Sequence, residues 1–145
     1  GRRISLAVTA HHAFLCSKDA KDHGLYAKMN PPLRSETERS SLFAALLEGR
    51  VDWIETDHAP HTLGDKEDGA SGIPGFSGLL LLVKHLIEQG AQSSLLTQLL
   101  GGRVLQMAGL PEREISIPAY DQLSSLSLAA AHAYPYDSFA MLRLR

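Results

Sequence analysis

A β-prone run followed by a carboxylate and two imidazoles reads Val51-Asp52-Trp53-Ile54-Glu55-Thr56-Asp57-His58-Ala59-Pro60-His61. Its first six residues favour extended structure, which predicts a strand over 51–56. Asp57 would then stand at the carboxyl end of this strand, with His58 and His61 in the loop that follows. In α/β folds built on parallel strands, this end of a strand is where catalytic groups collect.

The residues before this run predict a partner strand and a crossover helix. Residues 4–9 form a second β-prone run that ends in polar side chains. Residues 10–34 are mixed in composition, so we expect a long loop with one helical turn over 17–23. Ser35 and Glu38 form a capping box, and apolar residues at helical spacing follow as far as Gly49. Strand, loop, helix and strand in this order predict a parallel βαβ crossover.

The residues after His61 predict a second loop and then helices. The stretch 62–75 is polar and holds no helical or strand period, so it is expected to be a loop. The further expected elements are an apolar helix over 76–88, shorter helices over 94–100 and 104–107, a short strand over 115–117 and a helix over 123–133.

Composition excludes several classes of protein. The 145 residues include 14 Lys and Arg against 16 Asp and Glu, a formal net charge of −2, so no basic surface for nucleic acid or anionic membrane is indicated. The apolar run at 79–83 is far short of the roughly 20 residues of a membrane span. Cys16 is the single cysteine, so no intrachain disulfide can form. We expect a cytoplasmic protein without nucleic-acid or membrane partners.

Asp57 and the histidines that follow it allow two interpretations. A carboxylate at this place can ligate a divalent metal ion and exchange a proton with a water molecule. Alternatively, Asp57 caps the following turn while His58 and His61 are solvated loop residues. From these residues alone, both interpretations stay open.

Four motifs taken together resemble those of the dihydroorotases, which belong to the amidohydrolase superfamily. In chain order they are Val8-Thr9-Ala10-His11-His12, Lys28-Met29-Asn30-Pro31-Pro32-Leu33-Arg34, Asp57-His58-Ala59-Pro60-His61 and Gly72-Ile73-Pro74-Gly75-Phe76. Each motif alone is a weak indication, but the second and third, joined by a helix and a strand, form a specific pair. The resemblance extends over residues 4–110.

The resemblance implies an α/β fold related to a (β/α)8 TIM-type barrel of the metal-dependent hydrolases. The chain would supply the last two strand and helix units and some C-terminal helices. We therefore divide it into the C-terminal part of an amidohydrolase barrel at 1–118 and a divergent tail of unknown role at 119–145. Because a complete barrel takes roughly 250 residues, we expect a fragment with the remainder of the barrel upstream. Such a fragment should be inactive by itself and poorly soluble, because an open sheet edge promotes aggregation.

The resemblance also implies an activity, the zinc-dependent and reversible hydrolysis of the cyclic amide of (S)-dihydroorotate to N-carbamoyl-L-aspartate in de novo pyrimidine biosynthesis. The complete family site is binuclear, and its zinc ions act as Lewis acids. Of the family's metal ligands only Asp57 is recognisable in this chain. As the catalytic residue, Asp57 would also carry a proton from the attacking water to the leaving ring nitrogen.

The family's substrate contacts match further residues of this chain. His61 matches the contact to the substrate carboxylate, and Asn30 matches a second polar contact. Ser71 and Gly72 match the loop that lies along the substrate, where small residues allow close approach. The expected partners are dihydroorotate or N-carbamoyl-aspartate and, among proteins, a second copy of the chain or aspartate carbamoyltransferase.

The remaining histidines are expected to have structural roles. His11 and His12 follow the penultimate strand, whereas the family's metal-binding histidines lie on earlier strands. His58 is expected to support Asp57 or to pack the loop.

Two alternatives remain open at this stage. An allantoinase or hydantoinase-type cyclic amidohydrolase would share the barrel and the metal but typically lacks a histidine at position 61. A non-catalytic homologue could instead act as a scaffold for aspartate carbamoyltransferase. The presence of Asp57, Asn30 and His61 favours the enzyme.

Overall fold

The computed structural model describes residues 4–140, which form a helix-dominated α/β fold. No helix within these residues is long and apolar enough to cross a membrane. The elements are, in order, β1 (Ala7–Thr9), α1 (Ala10–Phe14), α2 (Ser17–His23), a 3-10 helix (Gly24–Ala27), α3 (Glu36–Leu47), β2 (Trp53–Glu55), α4 (Leu63–Glu67), α5 (Phe76–Glu88), α6 (Ser93–Thr97), a π-helical turn (Gln98–Gly102), α7 (Arg103–Met107) and α8 (Tyr120–His132).

The two strands are hydrogen bonded to each other in parallel, as predicted. Val8 lies opposite Ile54, with the flanking pairs in the same register. Both of these side chains are buried and belong to the main hydrophobic core. Because the strands are parallel neighbours, their carboxyl ends meet at one edge, and the loops after Thr9 and Glu55 begin side by side.

Both strands are shorter than the predicted runs over 4–9 and 51–56. The Leu6 carbonyl oxygen accepts from the Asp52 amide at 2.9 Å, whereas the Leu6 amide donates to the Asp52 carboxylate instead of a backbone carbonyl, so regular pairing stops here. Further towards the N-terminus, Ile4 is 81% exposed. The β-prone composition of these residues therefore extends beyond the part of each strand that is paired within residues 4–140.

The predicted crossover helix is confirmed as α3. The Ser35 side chain accepts a hydrogen bond from the Glu38 amide, and the Glu38 carboxylate accepts one from the Ser35 amide. At the other end, Gly49 adopts a φ of +67°, a conformation in which glycine avoids the steric cost of a Cβ atom. The helix thus begins and ends where local sequence signals placed it.

Two short helices interrupt the predicted loops. Thr9 caps α1 by accepting from the His12 amide, and Thr62 caps α4 by accepting from the Asp65 amide. Each helix has only five residues. So short a segment shows too little periodicity to be recognised from sequence.

Helices α5 and α8 pack against each other and carry the C-terminal part of the core. The predicted helix over 76–88 is confirmed with these bounds, and the one expected over 123–133 is present as α8. Phe139 is fully buried, and its ring occupies the space beside Gly78, where a Cβ atom would lie 2.2 Å from Cζ. Residues on both sides of position 118 therefore share one core.

The prediction of a strand over 115–117 is wrong. These residues have no regular secondary structure. Ile117 packs against the core, and Ile115 lies close to Gly101, so the alternating isoleucines are partly buried without pairing their backbone in a sheet. Of the predicted ranges 1–118 and 119–145, residues 1–3 and 141–145 lie outside the described residues.

Candidate active site

Asp57 lies just beyond β2 and has an unusual backbone conformation. Its φ of +43° is in the left-handed region, the only such value for a non-glycine residue within 4–140. Aspartate tolerates this region better than most residues, and such outliers concentrate at functional sites. The carboxylate is 49% exposed, so it remains accessible from solvent.

His11 lies in α1, directly after the neighbouring strand β1, and faces Asp57. Its Nε2 atom is 3.6 Å from Asp57 Oδ2, and neither ring nitrogen has a hydrogen-bond partner among the described residues. Burial, and then the nearby His12, lower the pKa of His11 to about 3, so the ring is neutral at pH 7. The contact is therefore not an ion pair at neutral pH. The sequence analysis missed it, although parallel pairing of the two strands places their exits together.

His12 links the end of β1 to the turn that carries Asn30. Its Nδ1 lies 2.7 Å from the Thr9 hydroxyl, and its Nε2 lies 2.9 Å from the Pro31 carbonyl oxygen. With Nε2 protonated, the ring accepts from Thr9 and donates to Pro31. His12 thus has a structural contact on each ring nitrogen, which agrees with its expected role.

His58 packs the loop after β2. The Gly75 amide donates to its Nδ1 at 3.1 Å, and its Nε2 lies 2.7 Å from the Tyr134 hydroxyl. Its ring stacks on Phe76 at a centroid distance of 3.9 Å. Burial lowers the pKa of His58, which favours the neutral ring that these contacts require. Of the two roles expected for it, the contacts support packing of the loop.

The four residues matched to substrate contacts lie together. Asn30 Nδ2 donates to the Ser71 hydroxyl at 3.1 Å, and His61 Nε2 donates to the Ser71 carbonyl oxygen at 3.0 Å. Gly72 follows directly, and its amide donates to the Lys28 carbonyl oxygen at 3.0 Å. Asp57 is not hydrogen bonded to any of these four within the described part of the chain.

Gly72 allows the loop to approach the chain beside β2. Its φ is +130°, and a Cβ atom there would lie 2.7 Å from Ala59 Cβ and 3.1 Å from His61 Nε2. The Ala59 amide donates to the Ile73 carbonyl oxygen at 3.0 Å, which holds the two segments side by side. A glycine is therefore required where the loop passes closest to His61.

Lys66 contacts the loop that carries Ser71 and Gly72, and the sequence analysis did not single it out. It lies on α4, is 0% exposed, and donates through Nζ to the carbonyl oxygens of Lys28, Ala70 and Gly72. The sequence signal for α4 is the capping pair Thr62 and Asp65, which fixes the helix start without showing that the lysine points inward.

Zinc would need further ligands from outside the described residues. Within 4–140, no three His, Cys, Asp or Glu side chains are grouped closely enough to hold a metal ion. The exposed carboxylate of Asp57 fits one position in such a centre, because a carboxylate oxygen is a normal zinc ligand. The unpartnered nitrogens of His11 lie next to it, but His11 is fully enclosed.

Known proteins with sequences similar to this chain point to one family. No family model matches the chain. The dihydroorotases of Geobacillus sp. strain WCH70 and Bacillus caldolyticus are each 35% identical to it, over 96% and 97% of this chain and 34% of each relative. The dihydroorotase of Halobacterium salinarum is 44% identical over 89 residues, which are 59% of this chain and 21% of that protein. This chain is a homologue of the dihydroorotases. The predicted resemblance is confirmed, and the chain spans about one third of the length of these curated relatives.

Solved structures share the fold of this dihydroorotase homologue. A D-hydantoinase from Thermus sp. superposes with a TM-score of 0.67 at 23% identity, covering 80% of this chain and 28% of that one. A Saccharomyces cerevisiae dihydroorotase, solved in complex with 5-fluoroorotic acid, gives 0.64 at 18% identity over 77% of this chain and 31% of that one. At these identities the similarity shows a common fold only. The substrate has to be inferred from the residues of the site.

Proposed function

We propose that this chain is part of a dihydroorotase, which opens the cyclic amide of (S)-dihydroorotate reversibly to N-carbamoyl-L-aspartate in pyrimidine biosynthesis. The observation that best supports this proposal is a cluster of matched residues after the carboxyl end of β2, in a homologue of the dihydroorotases. The clustered residues are Asn30, His61, Ser71 and Gly72. Dihydroorotate is a small polar ring with a carboxylate. Amide and imidazole donors beside a closely approaching backbone suit the binding and orientation of such a ring.

In this proposal each site residue has a defined task. His61 binds the substrate carboxylate, Asn30 makes a second polar contact, and the backbone at Ser71 and Gly72 lies along the ring. Asp57 accepts a proton from the attacking water and delivers it to the leaving nitrogen. Its exposed carboxylate and its place at the end of β2 support this assignment.

Zinc, two ions in the complete site, would polarise the ring carbonyl and lower the pKa of the attacking water. Asp57 would be a ligand, and the other ligands would come from a preceding part of the protein. We accordingly propose that residues 1–118 are the C-terminal part of a (β/α)8 barrel and that the isolated fragment is inactive. The whole protein would be cytoplasmic, and a second copy or aspartate carbamoyltransferase is a candidate partner.

The test uses the whole natural protein that contains this chain, purified with metal analysis. It is assayed with dihydroorotate, allantoin and hydantoin, before and after chelation and restoration of zinc. We expect zinc-dependent turnover of dihydroorotate with about two zinc ions per chain. Turnover of allantoin or hydantoin alone would contradict the substrate and support another cyclic amidohydrolase. A metal-free, inactive protein that copurifies with aspartate carbamoyltransferase would support the scaffold instead.

A further inference from the structure

A buried ammonium group lies beneath the loop that carries Ser71 and Gly72. Lys66 Nζ is 3.1 Å from the Lys28 carbonyl oxygen and 3.0 Å from those of Ala70 and Gly72. An ammonium group has three N–H donors and a neutral amine has two, so three carbonyl acceptors match the charged form. All of the donors of Lys66 are thus used by the backbone of this region.

Three hydrogen bonds to backbone carbonyl oxygens compensate for the burial of a charged lysine at this place. Burying a charged side chain is unfavourable unless it is paired or fully hydrogen bonded. Within residues 4–140, no carboxylate forms an ion pair with Lys66. Burial, and then the nearby Lys28, lower the pKa of Lys66 from its ordinary value. An apolar side chain of similar length would fill the space but would leave the carbonyl oxygens of Ala70 and Gly72 without this donor.

The three acceptors belong to the two segments that carry the candidate substrate contacts. The carbonyl groups of Ala70 and Gly72 stand on either side of Ser71, and that of Lys28 lies two residues before Asn30. The Lys28 side chain adds a second link between the same segments by donating to the Gly69 carbonyl oxygen.

The segment after α8 covers this ammonium group. The ring of Tyr136 lies over Lys66 Nζ, 5.9 Å from its centroid, and packs against Tyr26 at 5.3 Å. Aromatic faces attract cations, and the ring also excludes water from the carbonyl contacts. Part of the tail thus contributes to the surroundings of Lys66.

We infer that Lys66 is a positioning residue of the proposed substrate site, whose three backbone hydrogen bonds hold the Ser71–Gly72 loop against Asn30 and His61. The inference rests on the proposed function, because the contacts that it orders are those assigned to substrate. Lys66 itself does not touch substrate. It acts through the loop, so its removal should weaken substrate binding more than it slows the chemical step.

The main test compares Lys66→Met with wild type in the whole protein. We expect KM for dihydroorotate to rise about tenfold or more with kcat within about threefold, because a misplaced loop loses substrate contacts. Hydrogen exchange by mass spectrometry should show at least tenfold faster exchange of the Gly72 amide region. The matched control is Lys84→Met, since Lys84 pairs with Glu88 on α5 away from the site, and it should change neither quantity. Unchanged KM or unchanged loop exchange in Lys66→Met would overturn the inference.

A second variant covers the case in which Lys66→Met does not fold. Lys66→Gln keeps a polar side chain at this position but supplies two N–H donors in place of three. It should produce the same pattern at smaller size, and an unchanged KM together with unchanged exchange would overturn the inference. If the wild-type protein does not hydrolyse dihydroorotate, the proposed function fails by itself. Hydrogen exchange in Lys66→Met then still decides whether Lys66 holds the loop. Faster exchange than in wild type supports this role, and exchange at the wild-type rate overturns it.

Discussion

The loop after β2 and the α5–α8 helix pair are held by different interactions. The loop takes its shape from hydrogen bonds between side chains and backbone, made by His58, His61 and Lys66. The helix pair relies mainly on apolar packing, in which Phe139 is fully buried. Substitutions in the loop should therefore alter activity with modest effects on stability, and substitutions in the helix pair should do the reverse.

The largest effect is expected for Asp57→Asn in the whole protein. The amide keeps the shape of the side chain but cannot accept the proton, so kcat/KM should fall by about four orders of magnitude. The melting temperature should stay close to wild type, because the carboxylate is half exposed and its neighbour His11 is neutral. Steady-state assays and thermal unfolding measure both quantities.

The control for Asp57→Asn is Glu55→Gln, an exposed carboxylate at the end of β2 that should be dispensable. Activity near the wild-type level in Asp57→Asn would contradict the proton-transfer role.

The next largest effect is expected in the helix pair. Phe139→Ala leaves a cavity beside Gly78, and truncation of a buried phenylalanine costs about 3 to 5 kcal/mol of unfolding free energy. KM should not change in the fraction that remains folded. Urea denaturation measures this loss against that in Leu128→Ala. Leu128 is on the exposed side of α8, so its truncation should cost less than about 0.5 kcal/mol of unfolding free energy. A loss below about 1 kcal/mol in Phe139→Ala would argue against a shared core.

A smaller effect is expected for His61→Ala. The substitution removes the donor to the Ser71 carbonyl oxygen and the proposed contact to the substrate carboxylate. KM should rise about tenfold to a hundredfold, with a lower kcat, because a charge-assisted contact contributes about 1.5 to 3 kcal/mol. His132→Ala, at the exposed end of α8, is the control. Equal KM and kcat in His61→Ala and His132→Ala would contradict the assignment of His61 to the substrate site.

The smallest effect concerns a polar contact within the helix pair. Glu88 accepts from Lys84 Nζ at 2.9 Å and from the Tyr120 hydroxyl at 2.6 Å, and these contacts lower its pKa from 4.5 to about 2. A pKa lowered in the folded state means that the contribution to stability is present above pH 4.5 and lost as the pH falls towards 2. Because the pair is partly exposed, we expect less than about 1 kcal/mol.

The comparison for this last prediction is Glu88→Gln against wild type in urea at pH 7 and at pH 3. The difference in unfolding free energy should be clearly smaller at pH 3 than at pH 7. A difference that grows at low pH would contradict the assigned contacts.

Local features of the fold were predictable where their causes are local. The capping box at Ser35, the glycine end at Gly49 and the long apolar helix α5 depend on residues within a few positions of each other. The strand over 115–117 was predicted wrongly, because alternating isoleucines have the same pattern whether they pair in a sheet or only pack against other apolar residues.

The candidate site was predictable as a set of residues but not as an arrangement. Family motifs pointed to Asn30, Asp57, His61, Ser71 and Gly72, and the structure brings four of these five together while Asp57 faces His11. Neither the Asp57–His11 contact nor the inward position of Lys66 has a periodic signal. Both depend on which distant segments meet.

The sequence by itself determined the crossover order, the capped helices and the family motifs, since these follow from neighbouring residues and from their order along the chain. Only the tertiary structure decided that a buried lysine lies beneath the Ser71–Gly72 loop and that residues after α8 complete the core. The physical reason is that burial and hydrogen bonding between remote segments depend on the shape of the whole fold. The same lysine on an exposed face of α4 would have had a solvated ammonium group and no contact with this loop.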